Sequence, residues 1–196
     1  MKKSDTLIVR EGVVPNPGEI WTVGHSTRSI EEFLALLHEF DIDSLVDVRS
    51  IPGSRRYPQF GSETMSAWLA DDDITYQHAR DLGGRRNKNY DVDPAINAGW
   101  RLASFRNYAD YTLGSAYQVG IVQLGIEAQN SHVAFMCSEV LPWRCHRSLI
   151  ANTLVARNWA VHHIMNLGKV IEHRLGAWGP EPLVVDDQVT YPEPGG

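Results

Sequence analysis

The spacing of apolar positions switches repeatedly between a strand period and a helix period. Residues 20–26 (IWTVGHS) form a β-rich run that stops at Gly24. Residues 29–40 follow, with Ser29 and Glu32 at capping-box spacing and Ile30, Phe33, Leu34 and Leu37 on one helical stripe. Residues 44–50 (SLVDVRS) are apolar enough for a strand buried on both faces. A strand–helix–strand unit of this kind implies a right-handed parallel crossover. A short helix is predicted around 63–70, a third strand over 74–79, and helices over about 104–111 and 115–129. A strand follows at 132–137, a helix at 143–158 and a strand at 160–165. Residues 80–100 lack periodicity and exceed an ordinary connection, which marks a functional loop. After Lys169 the pattern predicts only a short irregular or helical piece.

This alternation predicts the α/β class: a single three-layer domain, with a mostly parallel sheet flanked by helices. The lead-in covers 1–18, with a short strand at 7–9, the domain 19–178, and a Pro/Gly-rich tail 179–196. The tail has only Leu183, Val184, Val185 and Val189 to anchor it, so it is expected to be dispensable for folding. Ligands of such sheets bind beyond the carboxyl ends of the strands. Those ends carry Gly24-His25-Ser26, Asp47-Val48-Arg49, His78 with Gly83-Gly84-Arg85, and Cys137-Ser138-Glu139.

The net charge of −6 argues against a nonspecific nucleic-acid or membrane binder. The charge is uneven, however. Residues 49–56 hold three Arg and no acid, and the segment after Gly179 holds four acids and no base. Two cysteines, no signal-peptide pattern and no apolar run near the roughly 20 residues of a membrane span give a cytoplasmic expectation with no membrane partner.

The stretch FMCSEVLPWRCHRSLIANTL (135–154) carries the densest chemistry. Its predicted helix opens on Arg144, Cys145, His146 and Arg147, cations at the end where the macrodipole is already positive. An anion there would gain free amides and an Arg fork, so the turn reads as an anion cradle in which Arg144 and Arg147 share a face. Helix N-termini and nearby cations lower thiol pKa, which makes Cys145 a candidate reactive thiol. Cys137 reads either as a nucleophile or as a small buried apolar residue. The Cys-x5-Arg loop of tyrosine phosphatases would need Arg where Trp143 stands. His25 and Asp47, at strand ends, suggest an oriented His–Asp pair. Arg55 and Arg56 share a Pro/Gly loop with Tyr57 and Phe60, a mix of basic and aromatic residues that suits a nucleotide or single-stranded nucleic acid. No metal is expected: Cys-x2-Cys and His-Glu-x-x-His spacings are missing, and Cys145 and His146 are adjacent, a poor arrangement for sharing one ion. The LGGRR stretch (82–86) is not a Walker or Rossmann fingerprint, and the cofactor stays open.

Five stretches in order, TVGHSTRSIEEFLALL, LVDVRSIPGSRRYPQF, LGGRR, GWRLASFRNYADY and FMCSEVLPWRCHRSLIA, resemble the family called domain of unknown function 488. The likeness runs from about Trp21 to Ile164. It matches Gly24, His25, Ser26, Asp47, Val48, Arg49, Ser54, Arg55, Leu82, Gly83, Gly84, Met136, Cys137, Glu139, Cys145, His146 and Arg147. The resemblance implies a cytoplasmic α/β domain of prokaryotic type and implies no reaction.

The functional expectation is an enzyme acting by acid/base hydrolysis on an anionic substrate, above all a nucleotide or nucleic-acid component. His25, Asp47, Glu139, Cys137, Cys145 and His146 are the candidate catalytic residues. Ser26, Arg49, Arg55, Arg56, Gly83, Gly84, Arg85, Arg144 and Arg147 are the candidate substrate contacts. Two alternatives stand beside it: a noncatalytic nucleotide or nucleic-acid binding module, and a thiol-dependent sulfur or redox enzyme.

Overall fold

The computed structural model describes residues 17–53 and 56–193. The strand expected at 7–9, Ser54 and Arg55 lie outside the described residues. The chain runs β1 (Glu19–Gly24), α1 (Ile30–Glu39), β2 (Ser44–Asp47), α2 (Ser62–Ala70), β3 (Thr75–His78), α3 (Ala103–Thr112), α4 (Ser115–Asn130), β4 (Val133–Cys137), α5 (Arg147–Ala156), β5 (Ala160–Asn166) and β6 (Lys169–Glu172). Strand order is β3-β2-β4-β1-β5-β6, with every pairing parallel except β5–β6. This is the α/β sheet with helices on both faces that the periodicity predicts.

The period of two divides the core. On β4, Val133, Phe135 and Cys137 face a cluster with Leu124 of α4 and Leu149 and Ile150 of α5. Ala134 and Met136 face the opposite cluster with Phe33, Leu36 and Leu37 of α1 and Met65 and Leu69 of α2. All five β4 residues are buried, as expected of a central parallel strand. Helix α1 starts on the expected capping box: Ser29 Oγ accepts from Glu32 N at 3.2 Å, and Glu32 Oε2 accepts from Ser29 N at 2.8 Å.

Two expectations are corrected. The helix predicted over 143–158 is shorter, because Pro142–Arg144 form a 3-10 turn and Cys145 is extended, with φ −131° and ψ 146°. Regular α-geometry begins at Arg147. The segment after Lys169 is also more ordered than its composition suggests. Gly168, at φ +65°, turns the chain back into the antiparallel edge strand β6. Further on, β7 (Leu183–Val185) and β8 (Gln188–Thr190) form a hairpin. Its two-residue turn, Asp186-Asp187, has φ +48° and +63°, the left-handed pair that a tight hairpin requires. Leu183 and Val185 stay exposed, so they do not anchor the tail. Tyr191 does so, at 1% exposure, by packing with Val189 against α5.

Candidate active site

The parallel register sets the strand ends side by side. Gly24 pairs with Cys137 and Asp47 with Met136, so β1, β4 and β2 release their chains at one edge. Close approach there depends on glycine. A Cβ on Gly24 would stand 2.0 Å from Glu139 O, one on Gly83 2.8 Å from Ser50 Cα, and one on Gly84 2.4 Å from His146 Nδ1. The Gly-His-Ser and Leu-Gly-Gly stretches are therefore packing devices that let three loops converge. Gly84 lines the resulting cleft, whereas Gly83 lies behind it.

The expected His25–Asp47 pair does not form directly, because Arg49 stands between the two. Arg49 Nε donates to Asp47 Oδ1 at 2.9 Å and Nη2 to Oδ2 at 2.6 Å, while Nη1 lies 3.4 Å from His25 Nε2. Arg49 Nη2 also donates to Phe60 O at 2.9 Å, and Tyr76 Oη donates to Asp47 Oδ2 at 2.8 Å. Asp47 is 0% exposed and does not reach the cleft. A carboxylate so saturated cannot serve as a base, and its expected catalytic role is withdrawn. Arg49 touches the cleft, but its fork is committed to Asp47 and to a backbone carbonyl. His25 is buried, stacked on Phe60 at 4.2 Å between ring centroids, and its Nδ1 bonds Ser26 O at 3.0 Å. Burial first, then the Arg49 charge, lowers its pKa to about 4, so the ring is neutral and both nitrogens are engaged. His25 and Arg49 together are the rigid wall of the site.

Beside that wall lie the thiols: His25 N donates to Cys137 O at 3.1 Å. Cys145 Sγ is 3.5 Å from His146 Nδ1, and His146 Nε2 is 2.8 Å from Val48 O. A carbonyl only accepts, so Nε2 carries the proton in the neutral ring and Nδ1 presents its lone pair to Cys145. The edge of the Tyr108 ring, 5.1 Å away between centroids, holds the imidazole in place. Cys137 completes a group in which Cys137 Sγ, Cys145 Sγ and a His146 ring nitrogen all lie within 4.8 Å of one another. The expectation that adjacency keeps Cys145 and His146 from acting on one atom is thus corrected, because the bend ahead of α5 turns both side chains inward.

The anion cradle is also corrected. Arg147 is 0% exposed and turned into the protein. Its Nη1 donates to Thr22 Oγ1 at 2.6 Å, and its Nη2 donates to the carbonyls of Glu139 and Val140. The group that the Arg147 charge acts on is Cys145. Burial raises its pKa, but the Cys137 thiol, the Arg147 charge and the hydrogen bonds from Arg147 outweigh burial and pull it to about 6. Cys137 goes the other way, to about 12, because of its bond to Cys145 and its own burial. Of this pair, Cys145 is the more acidic thiol and Cys137 the one that keeps its proton more tightly.

These groups open on a cleft of about 740 Å³. Besides His25, Ser26, Arg49, Gly84, Cys137, Glu139, Cys145 and His146, it is lined by Arg56, Arg85 and Arg144. The last three are exposed, and Glu139 is the one carboxylate among the described lining residues. Glu139 Oε1 accepts from Leu141 N at 3.0 Å, which fixes it in the turn after β4. Tyr57, expected beside the Arg pair, lines the cleft too, and so do Ser104, Phe105 and Tyr108, which the sequence reading missed. Ser104, Phe105 and Tyr108 sit at helical spacing on α3, within the GWRLASFRNYADY stretch, and that spacing was the available signal.

A family model described as "Domain of unknown function DUF488" matches residues 29–154, more than half of the 196 residues. The chain belongs to this family. No curated protein and no solved structure matches it. The DUF488 match spans Asp47, Arg49, the glycine pair and the whole of the thiol group, and begins after His25. No helix among the described residues is long and apolar enough to cross a membrane.

The arrangement in this DUF488 chain has the parts of an activated nucleophile: a thiol of lowered pKa, a ring nitrogen in reach, and a carbonyl that orients the ring. Alkylation by iodoacetamide should follow the thiolate. With the pKa of Cys145 lowered to about 6, its rate should rise through pH 6 and level off above it, with Cys145 modified well before Cys137. Peptide mass mapping across pH 5–9 checks this; a rate still climbing at pH 8.5, or Cys137 modified first, would remove the thiolate assignment.

Proposed function

We propose that the protein is an enzyme acting on an anionic substrate, a nucleotide or nucleic-acid component, with Cys145 as nucleophile and His146 as its acid/base partner. The observation that carries this reading is the Cys145–His146 pair at 3.5 Å, opening on a cleft flanked by Arg56, Arg85 and Arg144. Of the expected acid/base residues, His146 and Glu139 stay in this reading, and His25 and Asp47 leave it. Arg85 and Arg144 hold a phosphate, and Arg56, beside the half-buried ring of Tyr57, and the face of Phe105 suit a base or sugar. His146 Nδ1 takes the proton of Cys145 as its sulfur attacks the electrophilic centre and the bond to the leaving group breaks. His146 then delivers that proton to the leaving group. Water, deprotonated at Nδ1, then splits the thiol adduct and restores Cys145.

A second reading, a binding module without turnover, is favoured by the covered state of the thiols, 5% and 8% exposed for Cys145 and Cys137, beneath open arginines. Calorimetry and product analysis with a panel of nucleotides and short single-stranded DNA and RNA separate the two. The enzyme reading expects product from wild type, none from Cys145→Ser, and equal affinity in both. The Arg85→Ala and Arg144→Ala changes should each cost about tenfold in affinity, the scale of one charged hydrogen bond. Saturable binding with no product across the panel would establish the module instead. Affinity unchanged in both arginine variants would overturn the anion site.

A further inference from the structure

The geometry points to a binding site for a thiophilic d10 cation, of which Zn²⁺ is the type, formed by Cys137 Sγ, Cys145 Sγ and His146 Nδ1. Among the described residues these three form a group of ligand atoms within 4.8 Å of one another. The dimensions suit a tetrahedral ion. With Zn–S about 2.3 Å and Zn–N about 2.05 Å, adjacent sulfur and nitrogen ligands stand about 3.5 Å apart, and two sulfurs about 3.8 Å apart. Cys145 Sγ and His146 Nδ1 are separated by 3.5 Å.

The imidazole is also prepared as a ligand. Metal-bound histidines donate their second ring N–H to a carbonyl or carboxylate, which fixes the tautomer and aims the free lone pair at the metal. His146 Nε2 does this to Val48 O at 2.8 Å, within the chain that leaves β2. Tyr108 restrains the ring from its edge. The ligands come from the end of one strand and the start of one helix, and both cysteines are buried, so they are held in place before an ion arrives. Three protein ligands with the fourth direction facing an open cleft is the pattern of a reactive or exchangeable site; structural zinc sites are closed by four ligands. The soft donor set, two sulfurs and one imidazole, selects Zn²⁺ or Cu⁺ over Mg²⁺ or Ca²⁺.

This site does not rest on Cys145 acting as a nucleophile, and it bears on that role. An ion bound there draws on the charge of the Cys145 sulfur and covers it, so attack through Cys145 is suppressed in the metal-loaded protein. Metal occupancy and thiol catalysis are alternatives at one centre, and the ion is a brake on the chemistry proposed above. Reversal by chelator follows.

The test uses the full chain, reduced and stripped of metal, with Zn²⁺ and Co²⁺ alone as probes. One equivalent of Co²⁺ should give a thiolate-to-cobalt charge-transfer band together with the visible absorption of a tetrahedral ion, and Zn²⁺ should bleach both. Zn²⁺ should also protect Cys137 and Cys145 from iodoacetamide, a readout that needs no variant. Cys137→Ser and His146→Ala should each weaken Zn²⁺ binding by about 100-fold or more, beyond the 10- to 100-fold typical of losing an outer partner. Thermal melts confirm that the variants are folded. A folded wild type with no cobalt–thiolate band, or with both thiols alkylated at the same rate with and without Zn²⁺, overturns the site. So does a band of full intensity in folded His146→Ala. If zinc binds but the metal-free protein never turns over, the site stands and the nucleophile falls; if turnover is seen and is indifferent to zinc, the brake falls.

Discussion

Tyr191→Ala, or truncation after Gly179, is expected to lower the melting temperature by about 10 °C. A dispensable acidic tail would leave it unchanged. Tyr191 is 1% exposed and anchors the end of the described chain to the domain. Its hydroxyl accepts from Asn152 Nδ2 at 2.8 Å, its N–H donates to Asn97 Oδ1 at 3.1 Å, and its carbonyl accepts from Gly99 N at 2.9 Å. Asn152 is in turn the end of a buried chain. Its Oδ1 bonds His173 Nε2 at 2.9 Å, and His173 Nδ1 bonds His163 Nε2 at 3.0 Å. Burial lowers the pKa of both histidines, so the relay is neutral and each partner is needed as donor or acceptor. Deleting a buried aromatic side chain costs about 3–5 kcal/mol. In a chain of this size each kcal/mol shifts the midpoint by about 2–4 °C. Removing only residues from 193 onward keeps Tyr191 and should be nearly silent. Calorimetric or circular-dichroism melts of these forms decide it; an unchanged midpoint in Tyr191→Ala would mean that this docking contributes nothing.

The sheet was legible because its signals are local. Ser29 and Glu32 cap α1 through bonds within four residues, and the five apolar residues of β4 declare a central strand whatever their neighbours. The site was legible in location for the same reason: polar residues stop each apolar run. What failed was reading direction and commitment. Asp47 and Arg49 look like a base and a phosphate clamp, but residues two apart in extended backbone share a face, and the period of two already places them together. A carboxylate and a guanidinium on one face saturate each other before any substrate arrives. Tyr191 was invisible because its partners, Asn97, Gly99 and Asn152, lie between 39 and 94 residues away in sequence. The helical period of α3 puts Phe105 and Tyr108 on one face but does not say that this face borders the cleft.

Arg147 departs furthest from its sequence expectation, being buried and bonded to Thr22 where a cleft-facing cation was expected. A cation beside a cysteine at a helix start reads as a ligand for something outside. The alternation of β1 reverses that reading: Ile20 and Thr22 share the face that α5 covers, so a long side chain at the first position of α5 meets Thr22. The guanidinium ties β1, the turn after β4 and α5 together. Arg147→Ala leaves the carbonyls of Glu139 and Val140 without this donor, at about 1–3 kcal/mol each. A loss of about 4 kcal/mol and a midpoint lower by about 12 °C are expected. The same change removes a charge and a hydrogen bond that hold Cys145 in the thiolate form, so its pKa should rise and its alkylation at pH 7 should slow. Arg147→Lys separates the two effects. It keeps the charge and loses the fork, so it should restore thiol reactivity more fully than stability. Melts and alkylation rates of the three proteins, with phosphate affinity measured alongside, separate a structural guanidinium from a ligand-binding one. An Arg147→Ala protein that melts with wild type and binds phosphate more weakly would put the guanidinium back in the cleft as a substrate ligand.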